Sequence, residues 1–344
     1  MQKNAAEKIG ALVRGYHSRG AFDGVVLAGQ NGEVVYQSAV GMADRKRGIP
    51  HVLEAPFPIC SVTKQFTALL VMQQVAAGRF MLEGKISEYL PGFRSDTGSR
   101  ITLKHLMTHT SGLANTDDIP DFYTSRDPRL IRADYVVKTY CQKPLTTPPG
   151  AKFRYNNADY LVLAAILEKT LGRPYEALLA ERILRPLGMT RSGILGSQSS
   201  QSQVVGYERK GKVLAEEQPR YRLANYGAAG AMYSTVGDLL KWDRALQTDQ
   251  LLPRAVRDLM FKSDPSKGYV ACGSWVYGYI PYGGKVPTLV ERQGGIGALH
   301  AQNLQALDDR ISVILLSNRD TVDLTAYTGK GLTCDILRVL YETA

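Results

Sequence analysis

Ser61-Val62-Thr63-Lys64-Gln65-Phe66-Thr67-Ala68-Leu69-Leu70-Val71-Met72 is the stretch from which the rest of the chain can be read. From Gln65 to Ala77 the run is too apolar for a surface helix and ends at Gly78, so it predicts a buried helix. Ser61 and Lys64 then share a face on its first turn. A serine at a helix start lies where backbone N–H groups are unpaired and the helix dipole is positive, which favours an oxyanion. A poorly solvated amine beside it has a lowered pKa and can serve as its base. The competing reading is a serine N-cap followed by a solvated lysine. A serine three residues ahead of a lysine also arises by chance, so other segments have to decide.

Two further segments bear on that choice. In Pro148-Pro149-Gly150-Ala151-Lys152-Phe153-Arg154-Tyr155-Asn156-Asn157 a Pro-Gly turn leads to an aromatic-amide run just before a helix predicted over Ala158 to Leu171. The asparagines would make a good cap and the tyrosine could simply pack. On the functional reading, Tyr155 exchanges a proton with Ser61 through Lys64, and Asn157 holds Lys64 or a substrate carbonyl. Arg292-Gln293-Gly294-Gly295-Ile296-Gly297-Ala298-Leu299 ends a predicted strand. Its glycines allow close backbone approach, so a strand-edge N–H could donate to an oxyanion; the alternative is a Gly-rich hairpin turn. Gly295-Ile296-Gly297 does not complete a dinucleotide fingerprint, and Gly206 to Lys212 has Val213 where a phosphate loop needs Ser or Thr.

Around these segments the chain reads as alternating strands and helices. Met1 to Arg19 is an amphipathic helix. Phe22 to Ala28 and Val34 to Val40 flank Asn31-Gly32, a strong hairpin signal. Helices are predicted from Thr102 to Met107, Tyr175 to Leu184, Val236 to Leu246 and Leu324 to Tyr341, with a polar loop from Ser197 to Gln203. Strands are predicted at Tyr269 to Tyr279, Thr288 to Gln293, Ala298 to Ala306 and Arg310 to Leu316, with short connections that imply antiparallel pairing. The expected fold class is α/β (α+β), an antiparallel sheet flanked by helices. One α/β lobe would come from about residues 1–75 and 230–344, with a mostly helical lobe, about 76–229, inserted.

The 344 residues suffice for a sizeable core, and 44% hydrophobic with 22% charged residues is ordinary for a globular chain. The net charge of +10 is scattered, without the compact basic run and interleaved aromatics of a nucleic-acid groove. Cys60, Cys141, Cys272 and Cys334 are too widely spaced for a disulfide scaffold or zinc site, so no metal or cofactor is expected. No stretch has the length of a transmembrane helix. The N-terminus lacks the apolar core of a signal peptide, which leaves the compartment open, cytoplasmic or, after removal of a leader, periplasmic or secreted.

With these motifs in order, the chain resembles the penicillin-recognising serine hydrolases, the group of class C β-lactamases, D-Ala-D-Ala carboxypeptidases and β-lactamase-like esterases. Their motifs are SxxK, YxN and KTG or HxG. The first two stand here as Ser61-Val62-Thr63-Lys64 and Tyr155-Asn156-Asn157, and Arg292-Gln293-Gly294 takes the place of the third. Ile101 to Leu113, with His105, His109 and Ser111, and Arg185-Pro186-Leu187-Gly188-Met189 also resemble family segments. The resemblance implies a β-lactamase/penicillin-binding-protein-like fold with Ser61 as the acylated nucleophile. Lys64 and Tyr155 would share acid–base work, Asn157 would orient, and the N–H groups of Ser61 and Gly295 would form the oxyanion hole. Arg292 would keep a cation for a substrate carboxylate, and Gln293 would reshape the pocket where the family has a small hydroxyl. The function so implied is hydrolysis of a small amide, peptide or ester through an acyl-enzyme. Acyl transfer and silent binding of cell-wall fragments are the alternatives, and oligomeric state is left open.

Overall fold

The computed structural model describes residues 2–196, 204–211, 213–218, 221–320 and 323–343. The expected polar loop at Ser197 to Gln203 lies outside the described residues. A six-stranded antiparallel sheet runs Trp275–Tyr277, Leu289–Ile296, Leu299–Ala306, Ile311–Ser317, Gly24–Gln30, Glu33–Val40, so strands from both ends of the chain pair in its middle. The Asn31-Gly32 hairpin forms as expected, with both residues at positive φ (54° and 78°).

Side-chain alternation along these strands feeds two cores. One face carries Val26, Leu304, Val313 and Leu315 against the helices Gln2–Ser18 and Leu332–Glu342. The other carries Val25, Leu27, Ile314 and Leu316 toward the helix Val236–Leu246 and the buried helix Thr63–Ala76. Phe66 stacks on Trp242 between those last two helices, ring centroids 4.0 Å apart. The predicted buried helix is thus real, and polar members such as Lys64, Gln65 and Gln74 are buried with it.

The largest changes of bounds fall on three predicted elements. Tyr269 to Tyr279 shortens to Trp275–Tyr277, because Tyr269 and Gly273 take positive φ and a Cβ at Gly273 would lie 3.0 Å from Lys64 O. The glycine lets this segment pack against the helix backbone instead of extending. Gly294 and Gly295, read alternatively as a turn, continue the strand to Ile296, and the turn falls at Gly297 (φ 57°). The last helix begins only at Leu332, behind Gly329 and Gly331 at positive φ.

A buried carboxyl joins sheet to helix. Asp243 is fully buried and accepts from Asn303 Nδ2 (2.8 Å) and Gln305 Nε2 (2.9 Å). Burial pushes its pKa up to about 8, against about 3.9 in an unfolded chain. Between those values the folded protein keeps a proton that the unfolded chain has released. Stability should therefore fall as pH rises from about 4 to about 8 and level off above. Asp243→Asn removes the titration but keeps an acceptor. Its melting temperature relative to the native protein should rise between pH 5 and pH 8; a constant difference would show that Asp243 does not titrate there.

Candidate active site

Ser61 sits in a one-turn 3-10 helix, Cys60–Val62, that runs directly into the helix Thr63–Ala76. It is not the N-cap: that position is Val62, with no side-chain cap bond. The serine Oγ instead lies 2.6 Å from Tyr155 OH and 3.1 Å from Lys64 Nζ. Cys60, immediately before it, holds a positive φ of 49°, a strained conformation for a residue with a Cβ. The approach is pinned from the other side: Ile59 N donates to Met232 O (3.0 Å), and Met232 N to Thr63 Oγ1 (3.1 Å).

Lys64 is wholly buried, and its Nζ donates to Asn157 Oδ1 (2.8 Å) and Ala229 O (2.6 Å). Desolvation lowers its pKa well below the ordinary lysine value, helped by the Arg292 charge; Asp117 opposes the shift. Tyr155 is pushed up by burial, against the Arg292 charge and the Ser61 hydrogen bond.

The Tyr155-Asn156-Asn157 segment meets both readings of its sequence, one residue each. Asn156 is the N-cap of the helix Asn157–Leu171, its side chain accepting from Ala158 N at 2.9 Å. That releases Asn157 to face Lys64. Its other amide end donates to Asp117 Oδ1 (2.9 Å), and its backbone N–H to Asn115 Oδ1 (3.1 Å).

In the third segment Gly294 lies against the backbone around Ser61 and Arg292 reaches Tyr155. A Cβ on Gly294 would come within 2.5 Å of Ile59 O and 2.8 Å of Ser61 N, so only glycine lets the strand lie this close to the backbone of Ser61. Arg292 is 1% exposed; Nε donates to Ser61 O (2.9 Å) and Nη2 to Tyr155 OH (3.0 Å). Its guanidinium also lies over Trp275, 4.8 Å from the ring centroid. The cation expected to meet a substrate carboxylate is thus engaged by the protein's own groups. Gln293 is half-buried, with an Oε1 that has no partner among the described residues. Gly295 is exposed near the strand end.

Several site residues went unnoticed in the sequence. Asn115 and Asp117 lie on a loop without regular pattern. Ala229 contributes only a backbone oxygen, which no side-chain motif announces. Asp159 did leave a signal, an acid in the first turn of a helix whose next stretch, Leu161–Leu167, is apolar throughout. It supplies the acidic partner that local sequence does not offer His109: Nδ1 is 3.3 Å from Asp159 Oδ2, and Ser111 Oγ donates to Asp159 Oδ1. Burial pushes the pKa of His109 well below and that of Asp159 well above their ordinary values, each toward its neutral form. His109 Nδ1 accepts from Asn156 N (3.2 Å) and its ring lies against that of Tyr155, 4.5 Å between centroids. This group braces the tyrosine segment. His105 closes a capping box with Thr102.

A buried SxxK helix beside an antiparallel sheet, with a tyrosine from a second helix start over the serine, is the architecture of penicillin-binding proteins and β-lactamases. The family model described as Beta-lactamase matches residues 6–329, and the chain belongs to that family of serine hydrolases. A penicillin-binding protein of Bacillus subtilis (strain 168) is 25% identical over 338 residues, 93% of this chain and 73% of its own length. Esterase EstB of Burkholderia gladioli is 28% identical over 290 residues, 74% of each chain. Among solved structures, the D-amino acid amidase from Ochrobactrum anthropi SV3, complexed with D-phenylalanine, superposes with a TM-score of 0.80 at 22% identity over 98% of each chain, a likeness of fold. No helix among the described residues is long and apolar enough to cross a membrane.

Proposed function

We propose that the chain hydrolyses a small amide, peptide or ester through an acyl-enzyme on Ser61, as a carboxypeptidase- or esterase-like member of its family. The observation that carries this is the set of contacts around Lys64 Nζ. A neutral amine has two hydrogens, and two acceptors, Asn157 Oδ1 and Ala229 O, are in place for them. The lone pair is left for the third neighbour, Ser61 Oγ–H at 3.1 Å. The phenol fits the same ordering. Tyr155 oxygen accepts from Arg292 Nη2, and its O–H donates to Ser61 Oγ.

In the proposed reaction Ser61 passes its proton to Lys64 as Oγ attacks the acyl carbon. The tetrahedral oxyanion accepts from the N–H groups of Ser61 and Gly295. The proton returns through Lys64 and Tyr155 to the leaving amine or alcohol, and the same pair deprotonates the water that cleaves the ester on Ser61. Covalent labelling by a fluorophosphonate or a fluorescent penicillin, with Ser61→Ala as control, tests the reading. Labelling lost in the variant supports it; no labelling of the native protein by either probe favours a silent binding domain.

Arg292 enters this scheme as a fixed cation for the tyrosine and for the nucleophile's carbonyl, not as a hand for the substrate. A charge-assisted bond of this kind contributes about 1.5–3 kcal/mol. Arg292→Ala should cost about tenfold to a hundredfold in kcat/KM for carboxylate-bearing and neutral substrates alike. Removing the cation also relieves the depression of Lys64, so the acid limb of the pH profile should move to higher pH. A loss confined to anionic substrates would return Arg292 to the role of substrate anchor.

A further inference from the structure

We propose that Asp117 is the anchor for a substrate ammonium, so that the site favours acyl donors carrying a free α-amine. The inference rests on the acyl-enzyme reading and adds to it the charge of the substrate. Asp117 is exposed, on the loop that follows Leu113, yet its carboxylate is aimed: Oδ1 accepts from Asn157 Nδ2 (2.9 Å) and Oδ2 from Asn115 Nδ2 (3.0 Å). The two carboxylate oxygens offer four lone-pair sites between them, and with the Tyr123 hydroxyl as a third neighbouring donor one site stays open for a further donor. The same Asn157 amide holds Lys64 by its other end, at 2.8 Å. One side chain therefore separates the exposed charge from the amine that faces the nucleophile.

The neighbouring surface is of a kind that receives cations. Tyr123 and Tyr226 stack at 3.8 Å between centroids, 12° from parallel, and the Asp117 charge acts on both phenols. Tyr123 is held by its hydroxyl against Thr116, the residue before Asp117, at 2.6 Å. Tyr226 leads into the turn whose Ala229 carbonyl holds Lys64. A carboxylate beside an aromatic face suits an ammonium, which is attracted to both.

The charges within the site point the same way. Arg292 is buried and bonded to Ser61 and Tyr155, Lys64 is buried with its pKa depressed, and Asp159 is buried. Arg154, an exposed cation nearby, reaches Asp118 at 3.3 Å. Of the charged groups whose fields act on Lys64, Asp117 is the one that faces solvent. A site with an exposed carboxylate, and its own cation withdrawn, is matched to a positive substrate rather than a negative one.

The test compares kcat/KM for D- and L-alanine p-nitroanilide with that for their N-acetyl forms, in the native protein and in Asp117→Asn, with p-nitrophenyl acetate as a separate probe of acylation. The asparagine removes the charge and keeps an acceptor oxygen for one of the two neighbouring amides, so p-nitrophenyl acetate also reads any effect on Asn157 and the nucleophile that is independent of substrate charge. At least one native amine-to-acetyl ratio should be tenfold or more, and Asp117→Asn should bring it to near one. A native ratio at or below one for both enantiomers, or a ratio unchanged in Asp117→Asn, overturns the ammonium anchor while turnover of p-nitrophenyl acetate leaves the acyl-enzyme standing. No acylation by p-nitrophenyl acetate or either anilide overturns both.

Discussion

Ser61→Ala should lower kcat by on the order of 10⁴ or more and abolish the covalent adduct seen by intact-mass spectrometry with a slow ester or β-lactam. The size follows from what the side chain alone supplies. Without Oγ there is no acyl-enzyme, and the two-step route reverts to direct attack by water. The fold should tolerate the change, since Ser61 does not cap its helix and, among the described residues, its oxygen has only Tyr155 and Lys64 as side-chain partners. Both can turn to a water in the space left. An adduct that persists in Ser61→Ala would move the nucleophile elsewhere.

Lys64→Ala and Tyr155→Phe should each cost on the order of 10² or more in kcat, and the double variant should be little worse than either single one. Free phenol and ammonium groups have pKa values of about 10 and about 10.4, so neither is a useful base at neutral pH. The site changes this for the lysine, by burial and by Arg292. The tyrosine is shifted upward, which favours its protonated form, and in the proposed mechanism it donates to Ser61 Oγ while the amine accepts. Because the serine hydroxyl stands between the two, loss of either interrupts the same transfer. Additive losses would mean two independent roles. The pH dependence has a definite sign: below its depressed pKa, Lys64 gains a proton and loses its lone pair, so kcat/KM should fall toward acid.

What the linear sequence determined was the set of local elements and the chemistry they carry. The apolar run after Lys64 had to be buried, since no helix face in it is polar enough for water. Asn31-Gly32 had to turn the first hairpin, because that pair accepts positive φ at little cost. The order SxxK, YxN and a cation two residues before a glycine was legible, and it carried the family. Contacts between distant loops were not. Asn115 and Asp117 hold Asn157 from some forty residues away, and Ala229 holds Lys64 with a backbone oxygen that any residue type would offer.

Tertiary structure alone decided the direction in which the buried groups are shifted and the partners of Arg292. In sequence, an arginine beside two glycines at a strand end looks available to a ligand. In the fold, Gly294 brings the strand against Ser61 N, and that approach carries the guanidinium under the nucleophile and into reach of Tyr155. Likewise Lys64 and Asp159 are ordinary ionisable residues in the chain, and are pushed toward their neutral forms only when packing removes their water. Desolvation depends on every neighbour at once and no local pattern encodes it, which is why motif residues could be named from the sequence and their charges could not.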